Sequence, residues 1–447
     1  MASLSAVSDA LASECKGAVY VRQADGDYLV VAGTETGLYL LNTTDFSWID
    51  ISGSSAPYAV PQNDLWSFTL FGSTLVAHTL GDVPQAYDIE AGGVFADLGG
   101  SPPTAKYSWV AGDFLVFAYL TGEPSTLQWS GLNDATYWTI GQRGADSQVL
   151  PSGGEIMGGV GSQNGAIIIQ RNSMRYMQFA PTSGYTFTIS PANEKRGSVA
   201  PYSIVAIGPG QFVYLSEDGF FADVAGRAIG GERVDRWFFK NIDQTYLQDV
   251  RGVADPFEKV VWWQFRTPTA TELLIGYDWQ LDRWCYSDQY VSQMVALTTP
   301  GRTWDGLDTL YATIDDVTEP FDSRLFSGGS PTFGAFTTAN KLAYFTGSNK
   351  AATLETAQVE LVPGGRAFVN GGRAQTDAVG FTAEIGTSDY HGDSISYKSA
   401  VSASTRSGHI PYRAAGRLFR FRLNVPAGTE WTTTSSIDPM FTREGDQ

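Results

Sequence analysis

Residues 273–288 read "LLIGYDWQLDRWCYSD". A short apolar run ends on Tyr277-Asp278, a polar turn follows, and Trp284 opens a second aromatic stretch. The same unit recurs along the chain. Residues 37–51 read "GLYLLNTTDFSWIDI" with Trp48, 84–99 read "PQAYDIEAGGVFADLG" with Phe95, and 126–141 read "TLQWSGLNDATYWTIG" with Trp138. Residues 174–190 read "MRYMQFAPTSGYTFTIS" with Phe187, and "SRLFSGGSPTFGAF" ends a weaker copy with Phe333.

The second aromatics fall at 48, 95, 138, 187, 284 and 333, so the gaps are 47, 43, 49, 97 and 49. The gap of 97 is two periods. It predicts a degenerate copy around residue 234, where "GFFADVAGRAIGGERVDRWFF" keeps Phe221 and Val234. Ahead of most copies lies another β pair with a turn signal, as in "AVYVRQADGDYLVVAG" and "GQFVYLSEDGFF". A period of roughly 45 residues with about four short strands per copy is the signature of a β-propeller. One blade cannot bury both of its faces; a ring of blades can, with large aromatics filling the seams. The count is seven copies from about 17 to 336, with six blades and an insertion as the alternative. Trp48, Trp138 and Trp284 are expected at equivalent, largely buried blade positions.

Composition agrees with an all-β chain. Of 447 residues, 43% are hydrophobic, 13% aromatic and 17% charged, and 49 are glycine, which describes an ordered protein rich in turns. No apolar run is long enough for a membrane-spanning helix; "WVAGDFLVFAYL" is broken by Asp113. The N-terminus lacks the basic and apolar regions of a secretory signal, and a short helix is expected from Leu4 to Ser13. Cys15 and Cys285 make neither a disulfide framework nor a metal cluster, which points to folding in a reducing cytoplasm.

After residue 340 the pattern becomes alternating strands separated by Gly and Pro. The organisation expected is an N-terminal segment 1–16, a propeller of six or seven blades over 17–340, and a C-terminal β-sandwich over 341–447. In "GRLFRFRLNVPAG", Phe419, Phe421, Leu423 and Val425 point one way while Arg420, Arg422 and Asn424 point the other. Charge divides the chain in the same way. Residues 350–430 hold nine Lys/Arg and seven Asp/Glu, and 431–447 hold one Arg and three acids, so 1–349 carry the whole −18. Arg413, Arg417, Arg420 and Arg422 are therefore candidate interface residues for an acidic partner, a neighbouring copy of the propeller included. Such acidity disfavours non-specific binding of nucleic acid.

Chemistry-bearing motifs are few. His78, in "TLVAHTL", reads as structural, and His391 and His409 have no second ligand at metal spacing. "GGVGSQNG" at 158–165 precedes a strand rather than a helix, so it reads as a turn and not a phosphate cradle. Asp315, Asp316 and Glu319 lack the spacing of a calcium loop. No catalytic, cofactor or metal residue is assigned, and a non-enzymatic role is expected.

The stretches "WSGLNDATYWTIG", "ADSQVLPSGGEIMGGVGSQNGAIIIQRNSMRYMQF", "KRGSVAPYSIVAIGPGQFVYLSEDGFF" and "VVWWQF…LLIGYDWQLDRW" resemble a structural protein of short-tailed bacteriophages. This is the tail hub or nozzle family, also called the packaged-DNA stabilisation protein. The resemblance spans about 125–290 and is weaker over the N-terminal blades and the basic strand. It implies a virion component assembled in the host cytoplasm. Identical subunits, usually six, would form a ring below the portal and adaptor, around a channel for double-stranded DNA that is not bound by sequence. An acidic wall that repels phosphate suits such a channel. The alternatives are a carbohydrate-binding, receptor-recognising propeller and a glycoside hydrolase, whose two acids across a cleft sequence does not reveal.

Overall fold

The computed structural model describes residues 1–181, 184–208, 210–298, 313 and 331–444. Asp315, Asp316 and Glu319 lie outside them. The chain divides into two compact units, Ala6–Tyr344 and Met1–Ser5 with Phe345–Gln447.

The hairpin quoted first is strands Glu272–Asp278 and Arg283–Ser287, paired with Tyr277 opposite Trp284. Its turn is set locally. The Asp278 carboxylate accepts the N–H groups of Gln280 and Leu281, both at 2.9 Å, and Asp282 takes a positive φ of 54°. Strands Arg251–Asp255 and Val260–Arg266 complete an antiparallel sheet of four. The recurring unit is thus the outer half of a blade.

Among the described residues there are seven such four-stranded sheets in the first unit. Their innermost strands are Ala18–Arg22, Ser67–Phe71, Ala105–Ala111, Ile156–Ser162, Val205–Gly208, Arg251–Asp255 and Gln293–Thr298. Consecutive sheets from the first to the sixth share buried clusters, Arg251–Asp255 of the sixth packs on the seventh, and the seventh shares a cluster with the first, so the ring closes. The unit is a seven-bladed β-propeller. Small residues let the blades approach. A Cβ on Gly33 would lie 2.2 Å from the Trp66 ring of the next blade, and one on Gly159 would lie 2.6 Å from Trp109.

Three expectations are corrected. The N-terminal segment is not a helix: Ser5–Ala10 is the outermost strand of the seventh blade, beside Lys341–Tyr344. The Leu342 N–H donates to Ser8 Oγ at 2.8 Å. Pairing with an otherwise open sheet edge outweighs the helix propensity of these alanines and serines. In the fifth copy Val234 lies on a helix, Gly231–Asn241 (α1), because the outer strand shrinks to Arg227–Ala228. Phe333 lies on the second strand of its blade, Pro331–Phe336, and not on the outermost one.

The second unit packs two sheets face to face. One has six strands, including Ala352–Glu355, Thr382–Ser388 and Leu418–Val425. The other has four, around the long strand Arg366–Thr376 paired with Thr434–Glu444. Ala367 and Val369 of the second sheet share one buried cluster with Ile385, Phe419, Phe421 and Leu423 of the first. This is a β-sandwich, and the predicted alternation along Leu418–Val425 is its pleat.

Candidate functional sites

The innermost strands converge on the propeller axis, around a cavity of about 500 Å³. At and just before the starts of these strands stand three charged side chains, Asp64, Lys106 and Arg251. Asp64, just before blade two, pairs with Lys106 of blade three at 2.6 Å, with side chains only 12% and 20% exposed. The Lys106 ammonium also lies 5.8, 5.6 and 6.0 Å from the ring centres of Tyr107, Tyr119 and Tyr202. Arg251 of blade six donates to Gln293 of blade seven at 2.8 Å. Burial raises the Asp249 carboxyl, against the lowering pull of Arg251 and Lys106.

Tyr202 reaches across the axis. It sits in the turn Pro201–Ser203 that leads into blade five. Its hydroxyl accepts the Leu65 N–H of blade two at 3.1 Å, and its ring meets Tyr107 edge-on at 6.3 Å. Burial pushes its phenol well above the ordinary range, so it is a neutral group at this position. The arrangement ties blades two, three and five together. Sequence reading missed it, because Asp64, Lys106 and Tyr202 belong to three different blades and share no local motif.

His78 takes a structural position, while His391 is exposed and His409 half-buried. His78 is fully buried against Phe117, ring centres 4.7 Å apart, and its Nδ1–H donates to the Ala105 carbonyl at 2.8 Å. Among the described residues no cluster of three or more His, Cys, Asp or Glu could hold a metal ion. Residues 158–165 form a tight hairpin between Ile156–Ser162 and Gly165–Gln170.

The four arginines fall into two pairs. Arg420 and Arg422 lie on the outer face of the sandwich, half-buried, and both reach carboxylates of their own chain. Arg422 stands directly opposite Glu355 and Glu384 in the sheet register and meets them at 2.8 and 2.9 Å. It also lies 3.9 Å from the Tyr397 ring centre, and Arg420 is 3.7 Å from Glu355. Burial alone would raise the Glu355 carboxyl; hydrogen bonds from Tyr397 and Arg422 outweigh it and hold the group below its usual range. Arg413 and Arg417 are exposed and have no ion-pair partner among the described residues. The two pairs thus differ in their surroundings: Arg413 and Arg417 stand exposed, whereas Arg422 is hydrogen-bonded within the sheet and Arg420 lies beside Glu355 with its Nε unpartnered.

No protein-family model matches the chain, and no curated protein matches it. Among solved structures it is similar to the computationally designed Ika8 protein, at 9% identity over 75% of this chain and 85% of that one, with a TM-score of 0.40. It is similar to U3-55K at 8% identity over 64% and 84%, with a TM-score of 0.39. The Neurospora crassa Pan2 WD40 domain follows at 8% identity over 56% and 71%, with a TM-score of 0.36. The propeller is defined here by its own sheet topology.

Proposed function

We propose that this chain is a non-enzymatic structural protein of a short-tailed bacteriophage: a tail hub or nozzle subunit that assembles into a closed homo-ring, with six copies the expected number. The ring would attach below the portal and adaptor and surround a channel for genome retention and ejection. The observation that carries this reading is the coincidence of two independent features. The stretches that resemble the tail hub family fall on blades three to six, and the net charge of −18 resides entirely in residues 1–349.

The axis of a single propeller is not the route for DNA in this proposal, since Tyr202 bridges it from blade five to blade two. The duplex would pass through the centre of the ring of subunits. Acidic walls there would repel phosphate and keep the duplex mobile, whereas Lys and Arg rings would hold it by releasing counterions. Electron microscopy of virions labelled with an antibody to this chain tests the assignment. Label at the tail is the expected result; label on the capsid, or none on the particle, would refute it.

A further inference from the structure

Helix α1 stands in the longest connection between described blades, from Ala228 to Arg251, on the seam of blades five and six. Its formation follows from the sequence. Val234, Trp237 and Phe238 recur at i, i+3 and i+4, Glu232 sits in the first turn and Lys240 in the last. Phe238 is fully buried between Phe220 of blade five and Phe265 of blade six, with ring centres 4.8 and 5.0 Å away. The Asp235 carboxylate accepts the Phe220 N–H at 3.2 Å. One side of the helix is therefore fixed to the propeller.

The opposite side is basic and outward-facing. Arg233, Arg236 and Lys240, at i, i+3 and i+7, lie across the helix from Phe238, and all three are exposed. Arg236 has only an exposed pair with Glu232 at 2.7 Å; Arg233 and Lys240 have no ion-pair partner among the described residues. Beside them Trp237 is half-buried, and Tyr286 is 65% exposed with its ring 5.0 Å from Trp237. Aromatic anchors next to arginines are the residue types that dominate interface energies.

The rest of the propeller supplies the complement. Residues 1–100 contain 12 acidic and two basic residues, a balance of −10 within the chain's −18. These residues form the closing strand and blades one and two. Asp25, Asp27, Asp50, Asp88 and Glu90 there are exposed, and none is in an ion pair among the described residues. In a ring of seven blades the seam of five and six lies across the diameter from blade two. Two complementary patches on far sides of one subunit suit a head-to-tail contact, the geometry that closes identical subunits into a ring.

We propose that the basic face of α1, with Trp237 and Tyr286, docks the acidic surface of blades one and two of a second copy of this chain. The inference rests on the homo-ring reading above and specifies which surfaces make it. The test uses the full chain. Mass photometry and sedimentation are measured against concentration and salt for the parent, for Arg233→Glu/Arg236→Glu/Lys240→Glu, and for Asp25→Lys/Asp27→Lys/Glu90→Lys. Circular dichroism and melting check that each variant is folded, and Arg233→Gln/Lys240→Gln serves as the milder alternative. Each reversal is expected to weaken self-association ~10-fold or more at low salt, and an equimolar mixture of the two reversed variants to recover it. A parent that assembles while every folded variant assembles equally well overturns this inference and leaves the ring reading standing. A parent that is monomeric at all concentrations and in the virion overturns both. Parent binding to duplex DNA that is lost in the helix variant, with assembly unchanged, overturns the inference and assigns the face to nucleic acid.

Discussion

The indole nitrogen of Trp284 donates a 3.0 Å hydrogen bond to the main-chain oxygen of Ile229, across the seam between blades six and five. Trp48 does the same at 3.1 Å to Asp9, across the seam between blades one and seven. Both indoles are half-buried and stack on aromatics, Trp284 on Phe220, Trp263 and Tyr277, and Trp48 on Phe336. Trp138 differs. It is buried, stacks on Phe117 within its own blade at 4.8 Å, and its indole N–H donates to Ala135 in the adjoining loop. The equivalence expected of the three tryptophans holds for two.

Trp284→Ala is therefore expected to destabilise the propeller by about 3 kcal/mol, through lost packing and a lost hydrogen bond. Trp284→Phe keeps most of the packing and should cost about 1 kcal/mol. Urea unfolding curves with a common slope distinguish the two. Equal midpoints for the parent and the alanine variant would mean that this seam does not support the ring of blades.

The Asp64–Lys106 pair at the axis makes a second prediction. Lys106→Met leaves the Asp64 carboxylate with little solvent and no cation, and should cost about 3 kcal/mol. Adding Asp64→Leu removes the stranded charge and should restore a large part of that loss. A single variant as stable as the parent in thermal melts would show the pair to be incidental.

His78 gives a pH dependence. Burial, opposed only by the hydrogen bond to Ala105, holds its imidazole down at about 4, whereas an unfolded chain titrates near 6.5. Between those values the unfolded state binds a proton that the folded state does not. The contribution of His78 is thus fully present above about pH 6.5 and is lost as the pH falls toward 4, to a limit of about 3 kcal/mol. His78→Gln should flatten this part of the acid limb in denaturant titrations at pH 7 and pH 4.5. An unchanged difference between the two pH values would exclude His78 as its source.

Part of the propeller is legible in the sequence because several blades repeat a local device. An aspartate closes a hairpin turn, as Asp278 and Asp88 do through main-chain N–H groups, and an aromatic follows on or just before the outer strand. Legibility fails where burial comes from elsewhere. Blade five keeps a two-residue outer strand because Phe238 of α1 covers Phe220 instead. Ser5–Ala10 carries no strand signal of its own; its conformation is decided by an edge more than 300 residues away, where Ser8 meets Leu342. The alternation of the basic strand was readable, but the partners of Arg422 were not. Glu355 and Glu384 reach it only through sheet register. The axial cluster was invisible for the same reason, being assembled from single residues of separate blades.

The sandwich arginines separate into two expected behaviours. Arg422→Ser breaks two part-exposed ion pairs and a cation–π contact, and should lower the stability of the sandwich by about 1 kcal/mol. Arg413→Ser/Arg417→Ser should leave stability unchanged, and of the four sandwich arginines this exposed pair should have the larger effect on assembly. Melting of both variants beside mass photometry reads both effects. Weaker assembly in a fully stable Arg422→Ser protein would place Arg422 in the interface instead.

The central claim is a closed ring of propeller subunits in a phage tail, and cryo-electron microscopy of intact virions tests it most directly. The predicted result is a ring of identical seven-bladed propellers around the tail axis, with DNA passing through the centre of the ring and Tyr202 closing the axis of each subunit. Isolated copies projecting from the tail as spikes, or a duplex threaded through a single propeller, would contradict it.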